Sequence, residues 1–304
     1  MKRTLIFSGQ GSQYVGMGKD LCETYTQARD TFAAADDILG YSISSICFDG
    51  PADTLKETRY TQPALFVHEL AIINTLESNV PFDAVAGHSL GEYSALVAAG
   101  VLSFTDALRL VKLRGELMFK AGESQPGTMA AIIGLDDAVV EEICSSLRDG
   151  VIVAANFNSP GQVVISGDAV YLRAHLDAFK QAGARMVTEL PVSGAFHSPL
   201  MKPAQEQLAE AIHATQFYDA VCDVYCNVTG APERSAAMLR ENLIAQLVSP
   251  VRWTQTLTSM HANGIDTYME IGPKNVLQGL VKRTLTGVNI SGIDTAAQLA
   301  LALQ

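Results

Sequence analysis

The residues best suited to chemistry lie in the run Gly87-His88-Ser89-Leu90-Gly91, which fits a G-x-S-x-G pattern. An apolar stretch, Ala84-Val85-Ala86, leads into it, and a helix leaves it through Leu96 and Ala99 to stop at Gly100. In that context the pattern reads as a nucleophile elbow: glycines two before and two after the serine admit a strained turn that lifts the hydroxyl above a sheet. The N-terminus of the following helix offers backbone N–H groups to an oxyanion forming on a substrate carbonyl. Covalent chemistry through an ester on Ser89 is the reaction type this predicts.

A serine hydroxyl is a weak nucleophile without a base in hydrogen-bond reach, and the chain has six histidines. His68 falls in an apolar helix, His175 and His213 in amphipathic helices, and His261 near a helix end before Gly264; each reads as structural. His88 adjoins the nucleophile, but an elbow turns that side chain elsewhere. His197 stands in the glycine- and serine-rich loop Val192-Ser193-Gly194-Ala195-Phe196-His197-Ser198-Pro199 and is the strongest candidate base. A third residue stands out by its placement. On a wheel of about 100° per residue, Arg109, Lys112, Glu116 and Lys120 share one face of their helix. Arg114 lies opposite, among Ala107, Leu110, Val111 and Met118. The wheel by itself also allows an arginine that snorkels or pairs structurally.

The elements that must position these residues alternate. A short strand over 4–7 runs into the glycine-rich loop Ser8-Gly9-Gln10-Gly11-Ser12-Gln13. A helix opens at Thr61-Gln62-Pro63, with Thr61 as its cap and Pro63 in its first turn. Ser103 caps another, with Asp106 three residues on. Such alternation predicts a mostly parallel α/β sheet. The stretch 127–192 has a different rhythm: a strand over 129–134, a helix ending near Arg148, strands over 151–157 and 163–166, a helix from Ala169 stopped at Gly183, and a strand over 185–190. That order, βαββαβ, is ferredoxin-like. The expected organisation is a large α/β-hydrolase-like domain built from 1–126 and 193–304, interrupted by a small ferredoxin-like domain over 127–192. A strand over Ile265–Ile271, before Gly272-Pro273, belongs to the resumed large domain.

Composition agrees with a compact enzyme: 304 residues, 48% hydrophobic and 17% charged, enough to bury a large core. The first apolar stretch ends at Phe7, too short for a secretory signal, and no run approaches the roughly eighteen residues of a membrane span. Five scattered cysteines, with Cys222 and Cys226 lacking a second pair, suggest reduced core residues in a cytoplasmic protein and no zinc site. A net charge of −11 argues against nucleic-acid or anionic-membrane partners. The glycines from Gly11 to Gly18 lack dinucleotide-binding spacing.

Four segments together carry a family resemblance: Gly9-Gln10-Gly11-Ser12-Gln13, Gly87-His88-Ser89-Leu90-Gly91-Glu92, the Arg114 helix, and Gly194-Ala195-Phe196-His197-Ser198. In order and spacing, over nearly the whole chain, the sequence resembles the malonyl-CoA:acyl carrier protein transacylases of fatty acid synthesis and the related acyltransferase domains of polyketide synthases. The resemblance implies ping-pong transfer of malonyl from malonyl-CoA to an acyl carrier protein, with no cofactor or metal. Ser89 would be the nucleophile and His197 the base. Gln10 and Leu90 would donate the oxyanion N–H groups, and Arg114 would bind the free malonyl carboxylate as a bidentate fork. The family orients its histidine with a main-chain carbonyl, expected here from the Ser249-Pro250-Val251-Arg252-Trp253 segment, at Arg252. A monomer is expected. Carrier proteins are usually acidic, so docking on this acidic chain calls for a local basic patch, with Lys274, Lys282 and Arg283 as candidates. A serine esterase is the nearest rival; it wants an acid followed by a late histidine, yet His261 precedes both Asp266 and Asp294. An inactive docking module is the other, and intact Ser89, His197 and Arg114 speak against it.

Overall fold

Strands buried on both faces must be apolar throughout, and the strand that leads into the serine, Ala84–Gly87, meets that demand. The computed structural model describes residues 2–76, 79–192 and 194–304. Its strands are β1 (Lys2–Phe7), β2 (Ala84–Gly87), β3 (Gly127–Ile133), β4 (Ile152–Ser159) and β5 (Gln162–Asp168), followed by β6 (Met186–Glu189), β7 (Asp223–Tyr225), β8 (Pro232–Glu233), β9 (Ile265–Ile271) and β10 (Asn289–Ile293). One sheet runs β10-β9-β1-β2-β7-β8 and is parallel except at its β7–β8 edge. The central pair sets the site: Phe7 lies beside Gly87, so the loop after β1 and the elbow after β2 emerge together at the carboxyl end of the sheet. That is where open parallel sheets bind ligands.

The second sheet, β4-β5-β3-β6, is antiparallel and gathers every strand of the stretch read as ferredoxin-like. Helices Asp137–Ser146 and Ala169–Gln181 accompany it, and Ile132, Val140, Phe157, Leu172 and Phe179 share a core of their own. The expected mixture of a mostly parallel sheet and an antiparallel βαββαβ unit is what the chain forms. Two backbone bonds tie the units together: Phe157 N–H to Val251 O at 2.9 Å and Val251 N–H to Ala155 O at 2.8 Å. Ser193, the expected point of return to the larger unit, lies outside the described residues.

Helix Thr58–Leu76 is buried along most of its length and crosses the core. It begins before the position its sequence suggests, because the Glu57 carbonyl already accepts from the N–H groups of Tyr60 and Thr61, each at 2.8 Å. Thr61 therefore does not cap; its hydroxyl donates to Leu55 O at 2.6 Å. Pro63 sits inside the helix and costs one rung of its ladder. Ser103 does cap Phe104–Ser124, accepting from Asp106 N–H at 3.1 Å. All five cysteines are free and buried, and no described helix is long and apolar enough to cross a membrane.

The glycines of the elbow are required by close approach. A Cβ on Gly87 would overlap the Gly91 backbone, and one on Gly91 would overlap the carbonyls of Phe7 and Ser8. Gly91→Ala is expected to lower the free energy of unfolding by about 1–3 kcal/mol, as overpacking does. Gly279→Ala, in the interior of helix Val276–Thr284 with open space around it, is expected to raise it by about 0.5–1 kcal/mol. Urea unfolding of both variants checks the contrast, and shifts of equal sign would refute it.

Candidate active site

Three non-glycine residues among those described have positive φ, and two of them are the predicted nucleophile and base: Ser89 at 53° and His197 at 57°. Each such conformation costs on the order of 1–3 kcal/mol and persists only where its surroundings impose it. Here they bring Ser89 Oγ and His197 Nε2 to 2.7 Å. His197 Nδ1 lies 3.0 Å from the Gln246 carbonyl and 3.2 Å from that of Ser249. Carbonyls only accept, so Nδ1 carries the proton and Nε2 is left to accept from the serine hydroxyl. Gln246 ends helix Ala236–Gln246, where carbonyls lack helical partners and the dipole favours a cation. The helix terminus thus fixes the tautomer and favours the imidazolium that proton transfer creates.

Arg252 does not orient His197. Its carbonyl is taken by the Thr256 N–H at 2.9 Å, because Arg252 is the N-cap of helix Trp253–Ala262. The expected segment does contribute, through Ser249, and the nearer carbonyl comes from Gln246 before it.

Arg114 is buried, as its place on the apolar face requires, and it reaches the nucleophile: Nη2 donates to Ser89 Oγ at 3.1 Å. Its other acceptors are neutral amides, Gln246 Oε1 at 3.0 Å and Gln62 Oε1 at 2.8 Å, while Nε has no partner among the described residues. Burial destabilises the charge and lowers its pKa. Burial, with the Arg114 charge second, also holds the His197 pKa down at about 3, so the imidazole is neutral at physiological pH. Glu92, in the first turn of the helix after the elbow, is buried too; its Oε2 accepts from Gln246 Nε2 at 2.9 Å, and burial raises its pKa to about 7.

These groups face a cavity of about 160 Å³, walled by Met118, Met129, Val164, Leu190 and Phe196. A cavity of about 150 Å³ accommodates benzene, so this one has room for an acyl group of a few heavy atoms. Gln10 and Leu90 line it, and among the described residues neither backbone N–H bonds to the protein. Gly9 presses on the elbow, where a Cβ would come within 2.6 Å of His88 O. His88 turns away and bonds Asn158 Oδ1 through Nε2 at 2.8 Å, with burial lowering its pKa. Among the described residues, no group of three or more His, Cys, Asp or Glu could hold a metal ion.

The sequence profile described as the acyl transferase domain matches residues 4–300. The chain belongs to that family. It is 42% identical to the malonyl CoA-acyl carrier protein transacylase of Bacillus subtilis, covering 100% of this chain and 96% of that one. A crystal structure of an acyl carrier protein S-malonyltransferase from Vibrio cholerae superposes with a TM-score of 0.95 at 41% identity, covering 99% of both chains. A malonyl-transacylase solved with a type II polyketide synthase acyl-carrier protein superposes at 0.96 and 40%, covering 100% of this chain and 99% of that one.

Gln62, Glu92 and Gln246 of this acyl transferase went unread in the sequence. Gln246 had a signal: it continues the face of Leu239 and Leu243, where an apolar residue belongs. Gln62 likewise precedes the apolar run Pro63-Ala64-Leu65-Phe66-Val67.

The base must be neutral to act, so the sign of the pH dependence is fixed. With His197 held far below its ordinary 6.5, acylation by a small activated ester such as p-nitrophenyl acetate is expected to stay level from neutrality down and fall only in acid. Arg114→Ala removes one cause of the lowered pKa, and the ascending limb is expected to move upward. Rates measured from pH 8 down to about pH 3 check both; a wild-type limb centred near pH 6.5, or a limb unmoved in the variant, would contradict the assignment.

Proposed function

We propose that this acyl transferase moves malonyl from malonyl-CoA to the phosphopantetheine thiol of an acyl carrier protein, through a malonyl ester on Ser89. The observation that carries the reading is Arg114: a buried cation 3.1 Å from the nucleophile, bonded only to neutral acceptors. A buried charge without a counter-ion is costly, and the free carboxylate of malonate supplies the missing anion as a planar fork.

Each step then has its group. Ser89 Oγ attacks the thioester carbonyl while His197 Nε2 takes the hydroxyl proton, and the oxyanion meets the N–H groups of Gln10 and Leu90. Collapse breaks the C–S bond, and the leaving sulfur takes its proton from His197. The carrier thiol enters, gives its proton to His197 and attacks the ester; Ser89 Oγ leaves and recovers that proton. Malonate also serves the proton transfer, because neutralising Arg114 removes a charge that opposes the imidazolium.

In this reading the catalytic residues belong to a large domain of 1–126 and 193–304, with 127–192 inserted. The protein works as a cytoplasmic monomer, supplying extender units for fatty acid or polyketide synthesis. The carrier protein docks beside Arg283, whose guanidinium reaches Gln162 Oε1 at 2.7 Å, with Lys282 and Lys274 nearby in sequence. Gln162 lines a second cavity, which shares Gln10, His88 and Asn158 with the first.

Malonyl-CoA alone is expected to add one malonyl mass to the intact protein, and Ser89→Ala to abolish it; a label that persists in the variant overturns the nucleophile. Losing one member of a buried ion pair costs about 2–5 kcal/mol, so Arg114→Ala is expected to lower kcat/KM for malonyl-CoA roughly thirty- to several-thousandfold. Acetyl-CoA, which lacks the carboxylate, is expected to lose little. An unchanged malonyl-to-acetyl ratio would make Arg114 structural.

A further inference from the structure

The elbow holds Ser89 in a strained conformation, and something must pin it there. Strand β7 runs beside β2, with Tyr225 opposite Ala86, and then leaves the sheet in a turn closed by Gly230 N–H on Cys226 O at 2.8 Å. The backbone ladder to β2 stops one residue short of the elbow. Asn227, fully buried, fills the gap with its side chain. Nδ2 donates to Gly87 O at 2.6 Å, and Oδ1 accepts from Ser89 N–H at 2.7 Å. In a parallel ladder one residue bonds the carbonyl before and the N–H after the residue opposite. The Asn227 amide reproduces that pattern around His88, so the elbow is held on this side as a strand would hold it, although β7 has already ended. The amide is fixed in turn: Asn227 N–H donates to Glu92 Oε2 at 3.0 Å and its carbonyl accepts from Arg252 N–H at 2.9 Å. Because Asn227 occupies the Ser89 N–H, the next one, that of Leu90, remains free at the cavity.

We propose that Asn227 is the positioning residue that holds Ser89 in its left-handed conformation, and thereby aims Oγ at both His197 and Arg114. It touches no substrate; it acts through Ser89. The proposal rests on the transacylase reading and adds a residue to it.

The experiment follows the rate at which malonyl-CoA labels Ser89, by rapid quench and intact mass. A displacement of about 1 Å costs roughly a hundredfold in rate, and Asn227→Ala is expected to show a loss of that order. Affinity for malonyl-CoA, measured in a Ser89→Ala background, is expected to change little when Asn227→Ala is added, because Arg114 keeps its place. Asn227→Asp supplies both bonds only when protonated, so its labelling rate is expected to recover as pH falls, while the wild-type rate does not rise. The ionisable groups around that position are Glu92, in contact with Asn227; His88, between the two backbone groups it bonds; Cys226, next to it in the chain; Arg252, whose N–H meets the Asn227 carbonyl and whose side chain bonds Val228 O; and Arg114 and His197 beyond Ser89. Wild-type labelling by Asn227→Ala, or a loss of affinity matching the loss of rate, overturns the proposal. If Asn227→Ala does not fold, a pH profile of Asn227→Asp parallel to wild type overturns it instead. Failure of the transacylase reading is separate: the wild-type protein itself would then take up no malonyl.

Discussion

The arrangement depends on a single constraint: a guanidinium is buried against the nucleophile, and no carboxylate of the chain bonds it among the described residues. A charge in that position is tolerable only if every neighbour is chosen for it. Gln62 and Gln246 turn amide oxygens toward it, and the ring of Tyr93 lies 5.6 Å from it. These contacts hold Arg114 in place without cancelling its charge, as the proposed binding of an anionic acyl group requires. Burial first, and this charge second, depress the basicity of His197, so the site keeps a neutral imidazole and no imidazolium beside an unmatched cation.

Gln246 shows how tightly the parts are joined. Its backbone carbonyl accepts from His197, its Oε1 accepts from Arg114, and its Nε2 donates to Ser89 O at 2.8 Å and to Glu92. One residue at a helix terminus therefore sets the spacing of Ser89, His197 and Arg114. Such networks are worth more than their separate bonds, and a change at Gln246 would disturb all of these residues together. The bridge between Val251 and β4, a few residues on, ties that helix end to the antiparallel sheet. Motion between the two units would thus be felt at His197.

What the sequence revealed follows from the range of the forces involved. The elbow, the Ser103 cap and the βαββαβ order are local, governed by glycine placement, side-chain capping and hydrophobic period, and each formed as read. Arg114 was legible because one cation on an apolar helix face breaks a periodic pattern. Thr61 was misread because a preceding turn at Glu57 offered the backbone an earlier start than the threonine could. The error at Arg252 has the same character: a residue that begins a helix commits its carbonyl to that helix, and only the boundary of Trp253–Ala262 shows it. Asn227 lies 138 residues from the serine it braces, and no spacing rule reaches that far.

The absence of a carboxylate behind His197 follows from the demand made by Arg114. An aspartate on Nδ1 would strengthen the base, and in a low dielectric it would also be attracted to a guanidinium only one residue away. By neutralising Arg114 it would remove the reason for a malonyl carboxylate to bind. Carbonyls at a helix end fix the tautomer and favour the imidazolium through partial charges alone, leaving the guanidinium its full positive charge. Glu92 meets the same restriction by a different route, because burial raises its pKa to about 7 and holds it part-protonated near neutrality. Selectivity for an acidic acyl group and catalysis by a pair rather than a triad are, on this argument, two consequences of one buried charge.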